Sequence, residues 1–172
     1  MEWSLGLLCG IAFMAFIMGL RRARLSKRGV TAEYDERQKQ VRGKGAGCAF
    51  HAVLLYNALY ALACVTSGRE FMEPALAGFL AVFVGMAVIG LYSVAHDAFF
   101  PPHYPWKPYL GLCLVIAALS VYNAVRSAKA GAFVADGRLT LACLQPAMAL
   151  VFLALAAAIV AHQRREEKED AT

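Results

Sequence analysis

Five stretches of this chain, at 3–20, 46–66, 75–95, 109–125 and 139–161, contain no Asp, Glu, Lys or Arg. An α-helix rises 1.5 Å per residue, so about 20 apolar residues cross the roughly 30 Å hydrocarbon core of a bilayer. Inside that core every backbone polar group needs a partner within the protein, which leaves helices and closed barrels. The apolar runs are continuous and do not alternate with period two, as barrel strands do. Composition agrees: 60% of the residues are hydrophobic and 17% charged, with a mean hydropathy of +0.53. A soluble chain of 172 residues has no core large enough for that apolar surface, so the remainder must face lipid. The expected fold is an all-α polytopic membrane bundle of five spans without a separate soluble domain. Four spans is the runner-up, because 3–20 is only just long enough to cross and could instead lie along the surface as an anchor. The apolar run at 3–20 has no basic residue before it, so it reads as a span and not as a leader that is removed.

Charge orients the spans. With the N-terminus outside, the inner side carries thirteen Lys and Arg: nine within 21–45, Lys107, and Arg164, Arg165 and Lys168. The outer side carries four: Arg69, Arg126, Lys129 and Arg138. Basic residues favour the cytoplasmic side, so the expected topology is N-out and C-in. The net charge of +5 therefore does not point to nucleic acid. The expected partner is a bilayer with anionic headgroups, met by the cluster Arg21, Arg22, Arg24, Lys27 and Arg28.

The segment 21–45 is the one substantial polar stretch. A short helix is expected in it, capped by Thr31, with Glu33, Asp35 and Glu36 in the first turn. Glu33–Arg37 and Asp35–Lys39 have the spacing of i,i+4 ion pairs. Gly43, Gly45 and Gly47 should then loosen the chain before it enters the membrane. Between the third and fourth spans lie Pro101, Pro102, Pro105 and Pro108, with Phe99, Phe100, Tyr104 and Trp106. This composition predicts an extended loop along the headgroups. Pro146, inside the last span, predicts a kink there. The tail 162–172 reads as a short disordered cytoplasmic end.

Polar groups within a bilayer are costly and mark candidate sites. Four lie within the spans: His51, Asn57, Asn123 and Gln145. No acid or basic side chain accompanies them, and intramembrane proton relays usually need one. Asn57 and Asn123 both occur as Tyr-Asn-Ala and are expected to bond between helices. His51, His96, His103 and His162 all fall on the inner side, with Asp97 beside His96. Imidazoles and a carboxylate at one level are candidate metal ligands, although their spacing matches no metal motif. The five cysteines form no CxxC pair and read as small packing residues. Cys64 and Cys143 fall near the outer surface, within reach of pairing.

Tyr34-Asp35-Glu36-Arg37-Gln38, followed by Arg42-Gly43-Lys44 and a span with Tyr56-Asn57, resembles a group of uncharacterised bacterial multi-pass membrane proteins. These carry a DERQ-like motif just before an apolar hairpin. Asp97-Ala98-Phe99-Phe100 is similar to the end of the following span in that group. The resemblance covers about 33–160 and implies a bacterial cytoplasmic membrane, without implying an activity.

Together these readings favour a non-enzymatic interaction or regulatory module acting through its cytoplasmic face. Asp35, Glu36, Arg37 and Gln38 are its candidate contact residues, either for a partner or for the proline loop. The partner is a second copy or another membrane protein, and no cofactor is expected. One alternative is a small oligomeric transporter with its path beside Gln145 and Pro146. A second is a metal-dependent enzyme at the membrane face, using the histidines.

Overall fold

The computed structural model describes residues 34–101 and 105–169. The candidate span at 3–20, the basic cluster Arg21 to Arg28, Thr31, Glu33 and His103 lie outside them. Four helices among the described residues are long and apolar enough to cross a membrane. They are α1 (Glu36–Ser67), α2 (Pro74–Ala95), α3 (Lys107–Lys129) and α4 (Leu144–Glu169). A 3-10 turn, Leu141–Cys143, leads into α4, and two-residue strands β1 (Val134–Ala135) and β2 (Arg138–Leu139) form a small hairpin after α3. The protein is an all-α membrane bundle in all but that hairpin.

The helices pack in the order α1–α2–α4–α3. The buried positions are mostly small: Ala49, Ala77, Ala81, Gly90, Ser93, Cys113, Ala117, Ser120, Ala149 and Ala156. This follows from the solvent. Lipid tails are as apolar as leucine, so helix association comes from close backbone approach and not from burying large side chains. Gly90 shows the consequence: a β-carbon there would stand 2.7 Å from Leu155 Cδ2. Gly90 thus sets how near α2 can come to α4. Leu76, Leu155 and Ile159 are buried, but many large apolar side chains point outward, among them Phe50, Leu54, Leu55, Leu59, Leu62 and Val65 on α1.

Helix α1 departs from the expected short helix and loose glycine linker. It is one continuous helix of 32 residues, which at 1.5 Å per residue is about 48 Å long. The glycines do not break it, because each occupies an ordinary helical position. Gly45 faces α2, where an added β-carbon would sit 2.9 Å from Tyr92 Cδ1. Gly43 and Gly47 have nothing within 4 Å. Asp35 is the N-cap and not a first-turn residue: its Oδ1 accepts from the Gln38 amide at 2.6 Å. The expected Asp35–Lys39 ion pair is replaced by Lys39–Glu36 at 3.8 Å. Gly68, with φ of 66°, closes the helix in the left-handed region that glycine enters at little cost.

Three further expectations change. Helix α4 continues to Glu169, so the tail from His162 is helical over most of its length. Pro146 is the third residue of α4, where its missing N–H belongs to the unpaired first turn, so it opens a helix without kinking its middle. Cys64 and Cys143 are both free thiols.

The connections at the end opposite Asp35 are stitched together. The Glu73 amide donates to Leu139 O and the Leu139 amide to Phe71 O, each at 2.9 Å. The Glu73 carboxylate caps the 3-10 turn by accepting from the Leu141 amide at 2.9 Å. Arg138 pairs with Glu70 at 2.7 Å. The hairpin α1–α2 is therefore tied to the α3–α4 connection by backbone bonds as well as by helix packing.

Candidate functional site

The start of α1, the end of α2, the start of α3 and the end of α4 share one face of the bundle. Asp97 stands at its centre. Helix α2 ends in a Schellman motif: the Ala98 amide donates to Ser93 O at 2.8 Å and the Asp97 amide to Val94 O at 3.4 Å. This geometry places Asp97 at φ 56°, where glycine is the usual residue and aspartate is tolerated. Its side chain has partners on two other helices. One carboxylate oxygen contacts His162 Nε2 on α4, and the other lies 3.9 Å from Arg37 Nη2 on α1.

From Asp97 to Phe100 the chain turns four successive carbonyls toward α1 and toward Tyr34, two residues before it. Gln38 Nε2 donates to Asp97 O at 2.8 Å and to Phe100 O at 2.9 Å. Arg42 Nη1 donates to Ala98 O at 3.5 Å, and the Tyr34 hydroxyl to Phe99 O at 3.2 Å. The Arg42 guanidinium lies 4.4 Å from the centre of the Tyr34 ring, which holds both donors on one side of the loop. Phe100 meets Tyr109 of α3 edge-on at 5.3 Å. Ala98 is fully buried and Gln38 nearly so. A non-helical segment after a helix leaves its carbonyls without intrahelical partners, and Tyr34 and α1 supply them. Gln38 Oε1 is buried without a hydrogen-bond partner among the described residues. The opposite amide orientation would aim that oxygen at two carbonyls, so Nε2 faces the loop.

The candidate residues thus separate. Gln38, Arg37, Asp97 and His162 meet, while Asp35 caps α1 and Glu36 is exposed in its first turn. His51 does not join them: its Nδ1 donates to Gly47 O of its own helix at 2.7 Å. His96 Nδ1 bonds Tyr92 O at 2.9 Å, and its ring stacks on Tyr92 at 4.2 Å. No group of three or more His, Cys, Asp or Glu fit to hold a metal occurs among the described residues. The expected interhelical bond of Asn57 is instead a bond to Val53 O within α1 at 2.8 Å. A side chain four residues on lies within reach of that carbonyl, and so competes with a bond between helices. Asn123 is exposed on α3, and Gln145 is half-buried in the first turn of α4, away from mid-membrane.

Two features had no counterpart in the sequence reading. One is the left-handed Asp97. An acid directly after a helix end and ahead of two prolines is the signal that could have marked it. The other is the role of Tyr34, just ahead of α1, and Arg42, within it, as donors to the loop. No family model matches the chain, and neither does any curated protein or solved structure.

Proposed function

We propose that this protein is a non-enzymatic interaction or regulatory module of a bacterial cytoplasmic membrane, acting through the face built around Asp97. One observation carries the reading. Helix α1 is about 48 Å long by its 32 residues, against about 30 Å of hydrocarbon, so several turns must project. The apolar side chains begin near Ala46, and the projecting part is the charged stretch 36–44. Gln38, on one side of this stub, bonds to the loop after Asp97. Glu36, Arg37, Lys39, Gln40 and Lys44 are exposed on its other sides. A charged helix end held in a single orientation is a preorganised surface, which lowers the ordering cost of binding.

The excess of Lys and Arg at this end supports its cytoplasmic placement, and the DERQ-like resemblance supports a bacterial membrane. The partner is a second copy or another membrane protein. A photo-crosslinking residue at Lys39 or Gln40 in living cells should trap a discrete partner, whereas the same group at Val65, on the opposite end of α1, should not. Trapping nothing at either stub position, including a second copy, would reject the reading.

A further inference from the structure

A groove of about 660 Å³ runs between α3 and α4 on the outside of the bundle. Leu110 and Leu114 of α3 form one wall, and Leu153 and Ala157 of α4 the other. Alanines at 156, 157 and 161 leave the space that larger residues would fill. At the end of α4 the groove closes on Arg164 and Arg165, and no acidic side chain lines it among the described residues. Lys107, exposed, opens α3 one turn before Leu110.

We propose that this groove binds one anionic phospholipid, with an acyl chain along the leucine and alanine walls and the phosphate on Arg164 and Arg165. Its length carries the assignment. From Leu153 to Arg165 α4 advances about 18 Å, close to one leaflet of a hydrocarbon core about 30 Å thick. A lipid standing in that leaflet fills this depth and places its phosphate where the apolar wall ends. A transmembrane helix, from this chain or a second copy, needs both leaflets. The charge agrees with the length. A two-fold contact across this groove would bring four arginines together, and like charges oppose it. The segment after the candidate span 3–20 carries Arg21 and Arg22, which would meet the same repulsion. A phosphate is complementary to the arginine pair.

The test uses the full-length chain, delipidated in a neutral detergent, with bound lipid counted by native mass spectrometry. Phosphatidylglycerol, phosphatidylcholine with the same tails, diacylglycerol and inorganic phosphate are the probes. Phosphatidylglycerol should be retained at one copy per chain, at least tenfold more tightly than phosphatidylcholine or diacylglycerol, and inorganic phosphate should not bind. The exposed double substitution Arg164→Ala/Arg165→Ala should abolish that preference. Ala157→Trp, which fills the groove, should reduce retention of every lipid. The double arginine variant keeps the test decisive if the tryptophan variant does not fold. Equal retention of phosphatidylglycerol and phosphatidylcholine, an unchanged preference in the arginine variant, or a lipid-free oligomer would each overturn the proposal. No cellular partner enters this measurement, so its failure is distinct from a failed cross-link at Lys39.

Discussion

Asp97, the left-handed residue that ends α2, reaches across to His162 on α4 with one carboxylate oxygen and faces Arg37 of α1 with the other. Glycine would hold this backbone position about 1 kcal/mol more cheaply. The aspartate is therefore stabilising only through its side chain. Its carboxylate remains about half exposed, so solvent screens each of its pairs.

Substitution at this pair separates backbone from side chain. Asp97→Ala should destabilise by about 1–2 kcal/mol, since it loses the contacts and keeps a strained φ. Asp97→Gly should cost less than Asp97→Ala. A double-mutant cycle of Asp97→Asn with His162→Ala, followed by unfolding in mixed micelles, should give a coupling of about 0.5–1 kcal/mol. Strict additivity of the two changes would remove the pair as a link between α2 and α4.

Gln38 should matter more than its charged neighbours. Gln38→Leu leaves the carbonyls of Asp97 and Phe100 without their donor, at a cost of about 1–3 kcal/mol. Gln38→Glu should be worse, because a carboxylate would face two carbonyl oxygens. Glu36→Ala and Lys39→Ala, on the exposed side, should change stability by less than about 0.5 kcal/mol. Thermal unfolding in detergent reads all four, and an inert Gln38→Leu would contradict the role given to the amide.

The glycine series at 43, 45 and 47 tests whether α1 is continuous. Gly43→Ala and Gly47→Ala meet open space and should each stabilise by about 0.5–1 kcal/mol through helix propensity. Gly45→Leu should destabilise by about 1–3 kcal/mol, since its β-carbon already contacts Tyr92. A flexible linker would respond alike at all three positions.

Orientation is testable by labelling. With the native cysteines replaced, Lys39→Cys and Arg165→Cys should react with an impermeant maleimide only after the cells are opened. Arg138→Cys, in the hairpin after α3, should react in intact cells. The reverse pattern would invert the topology.

Much of this fold is legible in the sequence because the bilayer reduces the problem to length and charge. The runs 46–66, 75–95, 109–125 and 139–161 all coincide with helices to within a few residues, apart from the extensions beyond the apolar boundaries. Those extensions are where expectation and structure part: a short helix is expected within 21–45, but not its continuation through Gly43, Gly45 and Gly47 into the span, and the turns after Ala161 are expected to be disordered. Both stretches are polar, so no apolar run joins them to the spans. They are helical because N-capping by Asp35, and the contacts of Gln38 and His162 with the loop after α2, hold them. Pro146 misled for a related reason: an apolar run does not reveal where within it the first turn begins.

By itself, then, the chain's sequence determined that apolar helices cross a membrane, since uncharged runs of that length have no other favourable environment. It also placed Asp97, His162 and the Asp35–Gln38 segment at one level, because each lies at the end of a span. Only the tertiary structure decided which of these touch. A side-chain contact depends on helix rotation and on the path of the loop between spans. Both are set by close packing at Gly45 and Gly90 and by the left-handed turn at Asp97, which hydropathy does not encode.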